Sequence, residues 1–339
     1  MDLDSSFSMR RCVDVEEACL YFMTWPRQEG WNFCHDSQEF RQVFYPCDPN
    51  GFFLGTVTNQ AKQETVVSII LSLRLSADMG WIGCFIVTGA CRGKGYGAKS
   101  LHHALDYLKG CRFVGLDSSQ MATTFYHQVG FKQGWRCDIF RGDILGNVVE
   151  RLNYRDYQDV SIMDWTSSTN TTDFAEELVQ LDRKLLGYHR PRFWNNLLTL
   201  YSGGHSGGDL NATCIGRMAA FVSDGNGNIA HFACTQPLEN GFAFALYSDS
   251  PHVAKALLLH LSRRIYDSSA ESSPKWCLSK DHEMSIYINA CTANPASAKL
   301  LQALGFKLVT SRERLIYGGD PDSCGDPSTV ISVMTPMAG

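Results

Sequence analysis

The chain has 339 residues, 44% of them hydrophobic and 19% charged, and its 30 basic against 35 acidic side chains leave a formal charge of −5. That balance excludes a general nucleic-acid-binding surface, which needs net or clustered basic charge. No apolar run reaches the roughly 18–20 residues of a membrane span, so no membrane role is expected.

A chain of this length predicts two domains of about 150–200 residues each. The acidic, polar start Met1-Asp-Leu-Asp4 is no secretory signal. The 13 cysteines are scattered without a C-x-x-C pair, which predicts reduced thiols and a cytoplasmic location. Phe7 to Val13 reads as a strand. Asp14-Val-Glu-Glu17 is a capping box that opens a helix with Ala18, Cys19, Tyr21 and Phe22 inward, and Pro26 and Gly30 mark its end. A second capping box, Asp36-Ser-Gln-Glu39, opens a shorter helix through Phe40, Val43 and Phe44. Residues 51–58 and 66–75 read as a hairpin of strands.

Residues 81–101 carry the chemistry. Trp81 to Val87 is a strand. Arg92-Gly93-Lys94-Gly95-Tyr96-Gly97 is a glycine-rich turn. A helix follows with Leu101, Ala104, Leu105 and Leu108 on one face. Strand, glycine-rich turn and helix together bind phosphate: glycines allow close approach, and the helix N-terminus presents N–H groups and partial positive charge. The spacing fits neither the Walker loop nor the dinucleotide fingerprint. Beyond it, Phe113 to Asp117 is a strand, a short helix covers about 120–129, and Phe131 to Phe140 returns as a strand.

The Arg-x-x-Gly-x-Gly pattern after a fourth strand resembles the GNAT superfamily of N-acetyltransferases, and so does the element order around it. Tyr126-His-Gln-Val-Gly-Phe131 is similar to the Tyr-x-x-x-Gly-Phe that ends the fourth GNAT helix. Glu29-Gly-Trp-Asn32 with Asp36, and Gly115-Leu-Asp117, resemble the two-domain YitH-like subgroup. The chain departs from many GNATs in having Ser119 where they have Asn.

Residues 143–159 are polar and irregular enough to read as a linker. A second series follows: a strand at Val160 to Trp165, helices at about 172–186 and 190–201, a glycine-rich loop from Gly203 to Asp209, and strands near 212–222, 229–236 and 242–248. Val253 to Ile265 is an amphipathic helix, 285–289 a strand, 294–306 a helix ending in Gly-Phe, and Arg314 to Tyr317 a last strand. The repeat predicts two tandem GNAT folds, an α/β (α+β) architecture. Each is a mixed, mostly antiparallel twisted sheet flanked by helices, divided as residues 1–150 and 151–339. Asn170 and Asn211 open glycosylation triplets that carry no weight without a secretory route. The second series has Asp249-Ser-Pro-His252 in place of the glycine loop. Pro251 removes an N–H, and Asp249 puts negative charge where phosphate would sit. One cofactor site, in the first domain, is therefore expected.

The resemblance implies transfer of an acetyl group from acetyl-CoA, as cosubstrate and without a metal, to the primary amine of a small or amino-acid-like acceptor. It implies cofactor contacts from Phe85, Ile86, Val87, Arg92, Gly93, Lys94, Gly95, Tyr96, Gly97 and Ala98. Main-chain N–H groups of Phe85–Val87 stand near the carbonyl oxygen, and Tyr126 serves the leaving thiolate. The fourth strand holds no carboxylate. Asp117 is the candidate base, with capping of the next turn as its other reading. Asp182, Arg183, Arg190 and Arg192 form either an acceptor-facing group or an ion cluster at the surface or between domains. Two other readings are a glycine-type N-acyltransferase, whose intact half comes second, and a non-catalytic CoA sensor.

Overall fold

The computed structural model describes residues 6–31, 37–166, 172–202, 217–238, 240–271, 284–320 and 325–333. Asp36 of the second capping box, Asn32, the 203–209 loop, and Asn170 and Asn211 lie outside these residues. The first series runs β1 (Ser6–Arg11), α1 (Val15–Gln28), α2 (Ser37–Glu39), a π-helical turn, α3 (Tyr45–Cys47), β2 (Phe52–Thr58), β3 (Glu64–Arg74), β4 (Met79–Val87), α4 (Tyr96–Tyr107), β5 (Phe113–Ser119), α5 (Thr123–Val129) and β6 (Lys132–Asp143). The second runs β7 (Met163–Asp164), α6 (Thr172–Leu186), α7 (Pro191–Ser202), β8 (Ala219–Ser223), β9 (Ile229–Leu238), β10 (Gly241–Tyr247), α8 (Pro251–Glu271), β11 (Ser285–Cys291), α9 (Pro295–Ala303), β12 (Lys307–Tyr317) and a short extra strand, β13 (Ser332–Val333).

Local chemistry accounts for the helix starts. Asp14 accepts a 2.8 Å hydrogen bond from the Glu17 N–H, and Glu17 reaches back to the Val13 N–H at 2.8 Å. Asn294 caps α9 through the Ala296 N–H at 2.9 Å, ahead of Pro295. The predicted linker is ordered instead. Residues 144–149 form a π-helical turn that buries Ile144 and Val148 in the core containing α8. Its apolar positions are too few to show a period in the sequence.

The strands join in one sheet ordered β1-β2-β3-β4-β5-β12-β6-β11-β13-β10-β9-β8-β7. The two halves exchange their last strands. β12, from the second half, lies antiparallel beside β5 and sets Arg314 opposite Asp117. β6, from the first half, lies antiparallel beside β11 and sets Cys137 opposite Cys291. The two exchanged strands pair with each other in the middle. A cut at residue 150 therefore separates the two series of elements but not the two spatial units, because backbone pairing takes β6 and β12 across it.

The sheet has two differently built faces. On one, a single core takes Phe22, Phe40 and Phe44 from the first half and Leu178, Trp194 and Leu197 from the second. On the other, α4 and α5 cover the first half through Leu101, Ala104 and Tyr126, and α8 and α9 cover the second through Leu257, Leu261 and Leu301.

Candidate acyl-transfer site

β4 and β5 run parallel for only three pairs, Met79–Phe113, Gly80–Val114 and Trp81–Gly115. Beyond them β4 stays with β3 as far as Val87, while β5 stays with β12 as far as Ser119. A wedge opens between the two strands. At its apex the Trp81 indole lies across Gly115, where an added Cβ would stand 2.5 Å from the ring. Glycine is required there by that close approach.

The wall formed by β4 is irregular. Its pairing with β3 slips between Ile69 and Leu71, and Cys84 sits at φ 42°, in the left-handed region that non-glycine residues avoid. A bulge at Cys84–Phe85 thus interrupts the ladder beside the opening and leaves backbone polar groups there for something other than β3. The resemblance implies acyl-facing main chain at Phe85, Ile86 and Val87. The structure returns Ile86 and Val87 to the ladder, opposite Ile69 and Ser68, and places the break at Cys84 and Phe85, between Gly83 and Ile86. Only the glycine at 83 hinted at this in the sequence.

The glycine loop stands at the end of β4. Gly93 and Gly95 both have φ +78°, and nothing lies within 4 Å of where a Cβ would be on either. Gly95 ends the loop as the N-cap of α4 without a side-chain cap, so the first-turn N–H groups of Tyr96, Gly97 and Ala98 have no acceptor within the helix. Gly97 rests on Phe85 and Val87, each 3.6 Å from its Cβ position, which brings the helix end against the wedge wall. Lys94 is exposed at the tip. The Arg92 side chain has a different task from the expected phosphate contact. Its guanidinium donates to the Val87 carbonyl at 2.9 Å and to Glu29 at 2.7 Å, tying the loop to β4 and to the end of α1. The Tyr96 ring is core, stacked 4.8 Å from Phe7, which leaves its N–H for the loop. Open glycines, free first-turn donors and an exposed lysine suit a pyrophosphate.

Tyr126 projects from α5 into the core under the first half, edge-on to Phe131 at 5.6 Å. No hydrogen bond holds its hydroxyl among the described residues, and burial pushes the phenol well above its ordinary range, so it stays protonated and able to donate. His127 is turned away and engages the Phe131 carbonyl at 2.9 Å. Ser119 contributes its carbonyl to Thr123, at 3.2 Å, at the start of α5.

Asp117 is not available as a base. Both carboxylate oxygens are bound by Arg314, at 2.7 and 2.9 Å, and the pair is buried. The same guanidinium donates to the Tyr188 hydroxyl at 2.7 Å and lies over Trp81 and Trp135, at 4.7 and 4.3 Å. The sequence could not show this, because Arg314 arrives on the exchanged strand. Asp182 and Arg190 are likewise a fully buried pair at 2.6 Å, joined by Trp194 at 2.8 Å, and Arg192 donates to the Cys47 carbonyl at 3.4 Å. Asp182 and Arg190 are interior structure, Arg192 is a tie between halves, and Arg183 is exposed. Among the described residues no group of three metal-ligating side chains comes together.

The second half repeats the wedge and fills it. β10 and β11 run parallel at Phe242–Ile286, Ala243–Tyr287 and Phe244–Ile288. Past that point β13 inserts between them, pairing with Leu246 on one side and with Asn289 and Ala290 on the other. Ser332 Oγ donates to the Phe244 carbonyl at 2.9 Å, and residues 330–333 are buried. Only residues 248–250 separate β10 from α8, against residues 88–95 in the first half.

Comparison with known proteins agrees with this geometry. Residues 13–131 match the acetyltransferase (GNAT) family. A 168-residue stretch is 27% identical to the holothin acyltransferase of Pseudoalteromonas sp. (strain SANK 73390), covering 49% of each chain, so the match spans about half of that relative. The whole fold is similar to a Pyrococcus horikoshii structure assigned to the acetyltransferases (TM-score 0.65, 15% identity, 98% of this chain and 96% of that one). It is also similar to a tandem GNAT protein from the clavulanic acid biosynthesis pathway (TM-score 0.56, 13% identity, 94% and 99%). At such identities the likeness concerns the fold.

Proposed function

We propose that this chain is an N-acyltransferase that moves an acetyl group from acetyl-CoA to the primary amine of a small acceptor, in keeping with the GNAT-family match of residues 13–131 and the tandem GNAT likeness of the whole fold. The observation that supports it most is the asymmetry of the two wedges: the first is open, bulged and served by a glycine loop, and the second is plugged by β13. The loop N–H groups from Gly93 to Ala98, with Lys94, hold the pyrophosphate. Donors at the Cys84–Phe85 bulge stabilise the carbonyl oxygen as it gains charge. The incoming amine attacks the thioester carbonyl directly, and Tyr126 hydrogen-bonds the departing thiolate. Acetyl-CoA supplies the activated acyl group. The cell compartment proposed is the cytoplasm, in keeping with the nine described cysteines, all free thiols.

Calorimetric titration with acetyl-CoA tests this. One site is expected, weakened by about tenfold to a hundredfold in Gly95→Asp, because the new carboxylate faces the pyrophosphate. The space around Gly95 is open, so the fold should survive apart from local strain at its positive φ. Unchanged affinity in that variant, or a second site, would overturn the reading.

A further inference from the structure

We propose that Arg312, carried into the first half by β12, selects the acceptor by binding a carboxylate borne by the amine. This rests on the acyl-transfer reading above.

The strand registers place the residue. Arg312 stands opposite Ser119 on β5 and opposite Cys137 on β6. It shares a face with Arg314, two residues along a regular stretch of pairing with β5. That face is the one away from α4, since Cys137 belongs to the core formed by both halves, whereas Val114 and Leu116 belong to the core under α4. Its height is set by the parallel pair Trp81–Gly115. Four residues along β5, and five along β4 because the bulge adds one, bring Ile86 and Ser119 level, so Arg312 stands level with the far end of the bulge. The charge at Arg312 also opposes the upward push that burial gives the Cys84 thiol, as expected if the two face each other across the wedge.

Its neighbours on β6 and β12 have partners, and among the described residues Arg312 has none. Arg314 holds Asp117, Arg136 holds Asp138 at 2.7 Å, Ser311 donates to Asp138 at 2.7 Å, and Gln133 donates to Glu313. Arg312 is half-buried and makes no hydrogen bond or ion pair with any described residue. A guanidinium removed from much of its water, with its fork of donors unused, matches a carboxylate in shape and charge. Because it stands at the end of the acyl-facing bulge and on the side opposite the cofactor helix, the carboxylate it holds belongs to the acceptor. The acceptor is then a small amine whose carboxylate lies a few bonds from its nitrogen, as in an amino acid.

The test uses the full chain, saturating acetyl-CoA, and pairs of acceptors that differ only in carrying a free carboxylate or its carboxamide. Wild type should favour the free acid by about tenfold or more in kcat/KM. Arg312→Ala should erase that preference, through KM, and Arg312→Lys should restore part of it, because charge remains while the fork is lost. The Kd for acetyl-CoA, measured on each variant, controls for folding. A preference that survives in Arg312→Ala, or a wild type that favours carboxamides or neither, overturns the proposal and leaves the acyl-transfer reading standing. Failure to acetylate any amine of the panel overturns both.

Discussion

Asp117 shows how a side chain's duty depends on what tertiary structure brings to it. Alone at the end of β5 it is a plausible base; bound at both oxygens by Arg314 it is half of a buried ion pair. Asp117→Asn should destabilise the protein by about 3–5 kcal/mol, because Arg314 is left buried without a counter-charge. Urea denaturation measures the loss. The acid limb of the rate profile should remain in that variant; its disappearance would return Asp117 to the role of base. Cys84 is the complementary case. Its chemistry is unremarked in the sequence, and its importance is its backbone, held at φ 42° where β4 leaves the ladder.

At the scale of elements, two strand pairs of the same design meet different ends. β4 and β5 part around an open wedge, and β10 and β11 part around β13. The plug is held by apolar burial as well as pairing, with Val330 and Ile331 fully buried. Ile331→Ala should lower stability by about 2–5 kcal/mol, the usual loss for a truncated buried aliphatic residue. It should not create a second acetyl-CoA site, because the three-residue connection 248–250 supplies no glycine cradle. Thermal unfolding and calorimetric stoichiometry check the two halves of that expectation, and a second site would show that the plug alone silences this half.

Over the whole molecule, strand exchange makes two folds into one object. β12 completes the first half, β6 completes the second, and one core spans both on a face of the sheet. Neither half can keep its sheet intact while the other unfolds. Circular dichroism and tryptophan fluorescence should therefore report one coincident unfolding transition. Two separated transitions would mean that the halves behave as independent domains despite the exchange. Buried charge reinforces the join: Glu39 of α2 is paired at 3.1 Å with Arg217 of the second half and accepts from Gln236 of β9.

The sequence by itself determined the element order, the repeat, the glycine loop and the position of Tyr126. All of these are local: they depend on apolar period, capping residues and glycines whose effects reach only a turn or two along the chain. Tertiary structure alone decided which strand lies beside β5, and with it the fate of Asp117 and the placement of Arg312. Strand alternation reads the same whichever partner completes the ladder, so pairing across the repeat leaves no mark in either strand. The bulge at Cys84 and the plug at Ser332 were hidden for the same reason. Each depends on a register between segments far apart in the chain, and the second also on a two-residue strand too short to show any period.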